Sequence, residues 1–155
     1  MEIAFARDGS MKNSFAANRK LIAALVTKSS RVVFSRGYTL FRQGETPKGV
    51  YVVCNGGASL VMKSESGAVL MSLDVPDGSL LGLPGIIANE CYTFSAVAWP
   101  GSDIRFVSRQ DFENLIQSEP SLNPMVLAVL AAEVRSARIA LSGMLGKLDI
   151  RQVRA

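Results

Sequence analysis

Between Arg31 and Val107 the chain is cut into short β-rich runs, and this punctuation limits the fold more than any other feature. The runs are Arg31–Arg36, Tyr38–Phe41, Val50–Cys54, Ala58–Lys63, Val69–Asp74 and Ile104–Val107. Gly37, Gly44, Asn55-Gly56-Gly57, Ser66-Gly67, Asp77-Gly78 and Pro100-Gly101 lie between them. Turn signals at roughly ten-residue intervals point to an antiparallel sandwich or barrel and away from a βαβ fold. The 155 residues suit a single domain with one sizeable core.

Helical periodicity flanks this region on both sides. Within Phe15–Val26, Leu21/Leu25 and Ile22/Val26 repeat at helical spacing. At the other end, Ser108-Arg109-Gln110-Asp111 has the form of a capping box with Asp in place of Glu, and Phe112, Leu115 and Ile116 supply one apolar face. Pro120 and Pro124 mark a break before a long apolar helix. There Leu127, Leu130, Val134, Ala137, Leu141, Met144 and Leu148 fall on a heptad seam. A second apolar row, Val126, Val129 and Ile139, lies off that seam. A helix apolar on two sides can rest on its own domain with one face and on a second copy with the other, so a homodimer is expected. Gly143 and Gly146 weaken the helix at its far end, where a hinge is expected.

Composition removes whole classes of chemistry. There is no histidine, which excludes Ser-His-Asp and Cys-His catalysis and the commonest zinc and haem ligands. Two cysteines, Cys54 and Cys91, are too few for a disulfide framework or a four-thiolate site. No cofactor, no metal and no enzymatic constellation is expected. The net charge of +4 is unevenly spread: residues 1–36 hold seven Lys/Arg against two acids, and residues 121–155 five against two. Residues 37–120 instead hold five against nine, so the middle of the chain is acidic. The basic ends read first as solvated helix surface and not as a nucleic-acid footprint. The longest apolar run, Met125–Ala132, is far below the ~20 residues of a membrane span, and no secretory leader is legible, so a cytoplasmic protein is expected.

Four stretches in order resemble the cyclic-nucleotide-binding domain of the Crp–Fnr regulators, over roughly residues 13–154. Gly37-Tyr-Thr-Leu-Phe41-Arg-Gln-Gly44-Glu45 is similar to that family's opening motif, and Val50-Tyr-Val-Val-Cys-Asn-Gly56 to the strand that ends at a glycine turn. Pro76-Asp-Gly78-Ser-Leu-Leu-Gly82 resembles the lead into the phosphate-binding cassette, and Ile104–Phe112 the last strand and following helix. The resemblance implies an antiparallel β-roll or jelly roll of the cyclic-nucleotide-binding type, followed by a long C-terminal dimerisation helix. It divides the chain into an N-terminal helical segment (1–30), a roll (31–120) with its cassette at 77–98, a dimerisation helix (121–146) and a hinge or start of a further domain (147–155). The dimer interface it implies is Leu127, Leu130, Val134, Ala137, Leu141 and Met144.

The cassette departs from the family pattern. Nucleotide-binding members carry a glutamate after the glycine equivalent to Gly82, and an arginine about ten residues later that pairs with the cyclic phosphate. Here Leu83 and Pro84 follow Gly82, and the arginine position falls on Tyr92 or Thr93, ahead of Ser95. No Lys or Arg occurs between Lys63 and Arg105, while that stretch holds Glu65, Asp74, Asp77 and Glu90. A buried phosphate would therefore lack the bidentate arginine that usually holds it. The candidate ligand positions are Gly82, Leu83, Pro84, Tyr92, Thr93 and Ser95, with the N-terminus of a short helix near Pro84 and the Thr93 and Ser95 hydroxyls as the polar contacts left. Two readings stay open. Leu80, Leu81, Leu83, Ile86, Ile87 and Phe94 either wall a pocket for an uncharged small-molecule effector or fill the space a nucleotide would occupy.

Gly146–Ala155 resembles the hinge that leads, in the family, into a DNA-binding helix-turn-helix. DNA is thus an expected partner only if such a domain follows in the full gene product. The expected function is a non-enzymatic sensor domain of a Crp–Fnr-like transcription regulator that does not bind cAMP in the usual mode. The alternative is a ligand-free dimerisation or interaction module.

Overall fold

The computed structural model describes residues 15–34, 38–135 and 138. Among them, eight strands form two four-stranded antiparallel sheets. The strands are β1 Ser30–Arg31, β2 Thr39–Phe41, β3 Gly49–Asn55, β4 Gly57–Lys63, β5 Val69–Pro76, β6 Leu80–Leu81, β7 Ser95–Ala98 and β8 Asp103–Ser108. One sheet has the order β1-β8-β3-β6 and the other β2-β7-β4-β5. The antiparallel roll expected from the turn punctuation is the fold observed.

Period-two alternation explains why the first sheet is buried on both faces. In β3, Val50 and Val52 point to one side, Val53 to the other, and all three are fully buried. In β8, Val107 and Ile104 divide in the same way, as do Leu80 and Leu81 of the two-residue β6. The inner side packs on the second sheet through Ala58, Leu60, Val75, Ala96 and Ala98. The outer side is covered by helices: α1 (Arg19–Thr27), α2 (Leu83–Ala88) and α3 (Arg109–Ser118). A 3-10 turn, Pro120–Leu122, then leads into a helix over residues 123–135, the terminal helix.

Local chemistry sets the helix boundaries. The Asn18 side chain accepts from the Lys20 N–H at 2.8 Å, so α1 begins at Arg19, four residues after the periodic segment opens. Phe15 is instead drawn into the inter-sheet core, and its carbonyl accepts from the Leu80 N–H at 2.7 Å. At α3 the Ser108 hydroxyl accepts from the Asp111 N–H at 3.1 Å, which is the cap expected from the sequence. Leu21, Leu25, Phe112 and Leu115 bury the facing stripes of α1 and α3.

Two local expectations change. Among its described residues the run Arg31–Arg36 pairs as a strand only at Arg31, within β1, and Val33 is 85% exposed. Two strands, β6 and β7, were not visible as β-rich runs: one has two residues and the other reads Ser-Ala-Val-Ala. Pairing to β3 and β4 holds them, not their own propensity. Residues 139–155 lie outside the described ones, as do Gly37 and Ala137, and with them Leu141, Met144, Leu148 and the expected hinge.

Phe112 joins α3 to the sheet and is 2% exposed. Phe112→Ala should lower the unfolding free energy by about 3–5 kcal/mol, read as a fall in urea midpoint at unchanged slope.

Candidate functional site

The cassette runs from β6 through α2 to β7. Gly82, the residue before α2, has φ +85°, a left-handed conformation that L side chains rarely adopt. A Cβ added there would also come to 3.0 Å from the Tyr92 ring. Gly82 thus lets the chain turn sharply while keeping the ring in contact. Gly85, one turn further on, packs where a Cβ would lie 2.6 Å from Pro47. The α2 helix is only six residues long and carries Pro84 in its first turn, so it offers few free N–H groups.

Tyr92 occupies the centre of the site. Its ring stacks on Phe41 with centroids 3.9 Å apart, and its hydroxyl donates to the Gly49 carbonyl at 3.0 Å. Its backbone is fixed as well: the Tyr92 N–H donates to Glu45 O at 3.0 Å, and the Gly44 N–H donates to Tyr92 O at 2.8 Å. Burial pushes the Tyr92 phenol above its usual range, and hydrogen bonding at Lys48 and Gly49 partly offsets this. Tyr92, one of the two positions on which the resemblance places a phosphate-pairing arginine, is therefore a phenol committed to Phe41 and Gly49.

Around Tyr92 remains a void of about 20 Å³, room for roughly one water. Gly82, Pro84, Tyr92 and Thr93 from the sequence candidates line it, together with Phe15, Phe41, Leu60, Leu81, Gly85 and Phe94. Leu83 does not; it is fully buried in the helix-side core. Ser95 is also otherwise engaged, its hydroxyl accepting from the Gln43 N–H at 2.9 Å. Among the described residues, no lysine or arginine lines the void. Arg109, at the start of α3, donates to the carbonyls of Ile86 and Pro47, each at 3.3 Å, and so ties α2 to α3. Both cysteines stand apart. Cys91 is exposed, and burial pushes the half-buried Cys54 thiol upward, away from thiolate reactivity.

The residue the sequence reading did not single out is Glu133. It sits on the terminal helix, is only 7% exposed, and lines the same void. Its Oε1 has no hydrogen-bond partner among the described residues. Desolvation raises its carboxyl from the usual range to about 8. A signal did exist: Glu133 is the one charged residue between Glu119 and Arg135, and it continues the row Val126, Val129 at helical spacing. Those two valines are buried against the roll, while Leu127 and Val134 are 63% and 54% exposed. The terminal helix thus presents the off-seam row inward and the described part of the seam outward, with Leu130 half-buried between them.

Comparison with known proteins gives consistent results. The family model described as "Cyclic nucleotide-binding domain" matches residues 31–119. The HTH-type transcriptional regulator Cmr of Mycobacterium tuberculosis is 26% identical over 130 residues, which are 84% of this chain and 53% of that protein. The chain therefore spans about half the length of that relative. Among solved structures, the Thermus thermophilus catabolite activator protein superposes with a TM-score of 0.69 at 23% identity, covering 82% of this chain and 60% of that one. The sensor domain of the transcriptional regulator DNR from Pseudomonas aeruginosa gives 0.59 at 18% identity, covering 87% and 94%. These two structural likenesses concern the fold.

The buried carboxyl makes stability depend on pH in a defined direction. The folded state holds the Glu133 proton up to about pH 8, whereas the unfolded chain releases it near the ordinary glutamate value. Its contribution is therefore fully present below that ordinary value and is lost as pH rises towards 8. Glu133→Gln should flatten this part of the urea-denaturation profile and stabilise the chain at pH 8, by an amount on the order of a few kcal/mol.

Proposed function

Because the chain belongs to the cyclic nucleotide-binding domain family, we propose that it is the sensor domain of a Crp–Fnr-like transcription regulator that does not bind cAMP in the usual mode. The observation that carries this is Tyr92. A cyclic phosphate needs a cation in the cassette, and of the two positions that would supply it Tyr92 is a phenol stacked on Phe41 and bonded to Gly49, while Thr93 carries only a hydroxyl. The remaining void is lined by aromatic and aliphatic side chains, the Thr93 side chain and one carboxyl, which repels a phosphate whenever it is ionised.

The role is regulatory and non-enzymatic, without a cofactor, in the cytoplasm. The terminal helix couples the site to the outside: Glu133 touches the void on one face, and Leu127, Leu130 and Val134 form the other. A homodimer packs through that outward row and its continuation at Ala137, Leu141 and Met144. An event in the cassette shifts the helix by its inner face and repacks the seam. DNA enters as a partner only if a helix-turn-helix domain follows in the full gene product.

One observation favours the second reading, a ligand-free dimerisation module: the void is close to the size of a single water. Calorimetry separates the readings from the nucleotide alternative. With cAMP, cGMP and cyclic dinucleotides, no tight binding is expected, and sub-micromolar binding of any of them would defeat the proposal. The dimer has a separate test. Leu127→Glu/Val134→Glu should sediment as a folded monomer where the parent sediments as a dimer, and an unchanged sedimentation coefficient rules out the seam.

A further inference from the structure

Glu133 combines three properties rarely found together without a reason. It is 7% exposed, its Oε1 lacks a hydrogen-bond partner among the described residues, and it borders an aromatic-walled void. A buried polar atom without a partner is costly, and an unpaired buried charge more so. A water in the void would relieve this only in part, since the walls that face it are mainly Phe15, Phe41, Phe94 and the ring of Tyr92.

We propose that this pocket takes a small organic cation bearing N–H donors, a primary ammonium or amidinium on a compact apolar body, with Glu133 as its carboxylate partner. The proposal deepens the sensor reading and rests on it. Three ligand classes compete for such a site. An anion meets a carboxyl and no lining cation. A neutral hydrocarbon fills the aromatic walls but leaves Oε1 unpaired. An N–H cation satisfies both, since it donates to the carboxylate and is attracted by aromatic ring faces.

Proton balance gives the proposal its signature. Burial keeps the Glu133 carboxyl protonated at neutral pH, so a cation that binds it as a carboxylate expels that proton to solvent. Binding then tightens as pH rises towards 8. Tyr92 is the one other titratable group lining the void among the described residues, and its hydroxyl is committed to the Gly49 carbonyl. Arg135 and Arg138 are both exposed, and neither lines the void. Binding also reaches the seam. A ligand larger than one water must displace a wall, and no backbone hydrogen bond among the described residues joins the terminal helix to the sheets. Side-chain packing at Val126 and Val129 holds it, so the helix is the wall that yields.

The test is titration calorimetry of the full chain with n-propylammonium and benzylammonium chlorides, beside 1-propanol and benzyl alcohol as uncharged matches. At pH 7 the ammonium probes should bind at least about tenfold tighter than the alcohols, with a buffer-dependent heat showing release of one proton. Glu133→Gln should remove both the preference and the proton release. Equal binding of ammonium and alcohol, or an ammonium preference that survives Glu133→Gln, overturns this inference while leaving a sensor of apolar ligands standing. Tight cAMP binding overturns both. Failure of all four probes to bind, with Glu133→Gln simply more stable than the parent, also overturns both and leaves the ligand-free module.

Discussion

The constraint on which the rest depends is the double-sided burial of β3. Its edges are both paired, to β8 and to β6, and its alternate side chains enter two separate cores. A strand so placed has no freedom of register, because a one-residue slip would exchange the helix-side and sheet-side valines. Its first residues act as a fixed post for the cassette. Gly49 accepts the Tyr92 hydroxyl, Lys48 accepts the Arg109 N–H, and Pro47 accepts from the Arg109 guanidinium. Gly49 itself must be small, since a Cβ there would meet the Phe106 ring at 2.7 Å.

This post also helps to hold the cassette in shape. The contacts that organise it are internal: phenol to carbonyl, ring on ring, and an arginine that caps α2 from behind. Arg109 is held by two backbone carbonyls on that outer side, so its charge is not presented to the void. The polar character of the pocket is left to Glu133, contributed by a different element. An acidic group on the otherwise apolar inward face of the terminal helix costs stability at neutral pH. Such a local conflict marks a site where packing alone did not dictate the residue.

Much of the fold is legible in the sequence, and the reasons are local. Glycines in the turn signals at Gly44, Gly56, Gly67, Gly78 and Gly101 all have left-handed φ, so the punctuation reflected backbone geometry directly. The Ser108 cap and the two-row pattern of the terminal helix were equally local, and the structure places Val126 and Val129 inward and Leu127 and Val134 outward. β7 was not legible because Ser-Ala-Val-Ala has little strand propensity, and only its place between β2 and β4 makes it a strand. The N-terminal helix began late for a similar reason: Phe15 gains more from the inter-sheet core than from a helical turn.

The candidate site divides along the same line. From the sequence came the absence of lysine and arginine between Lys63 and Arg105 and the acidic middle of the chain, because residue identity alone decides whether a cation is available. Composition likewise excluded histidine chemistry. What the tertiary structure decided is which residues meet around the cassette: Tyr92 folds back onto Phe41 and Gly49, and Glu133 arrives from about forty residues away to line the same void. No local pattern brings those residues together. The stacking of two sheets and the packing of the terminal helix across the roll put the carboxyl there, and its burial gives it the properties that the free side chain lacks.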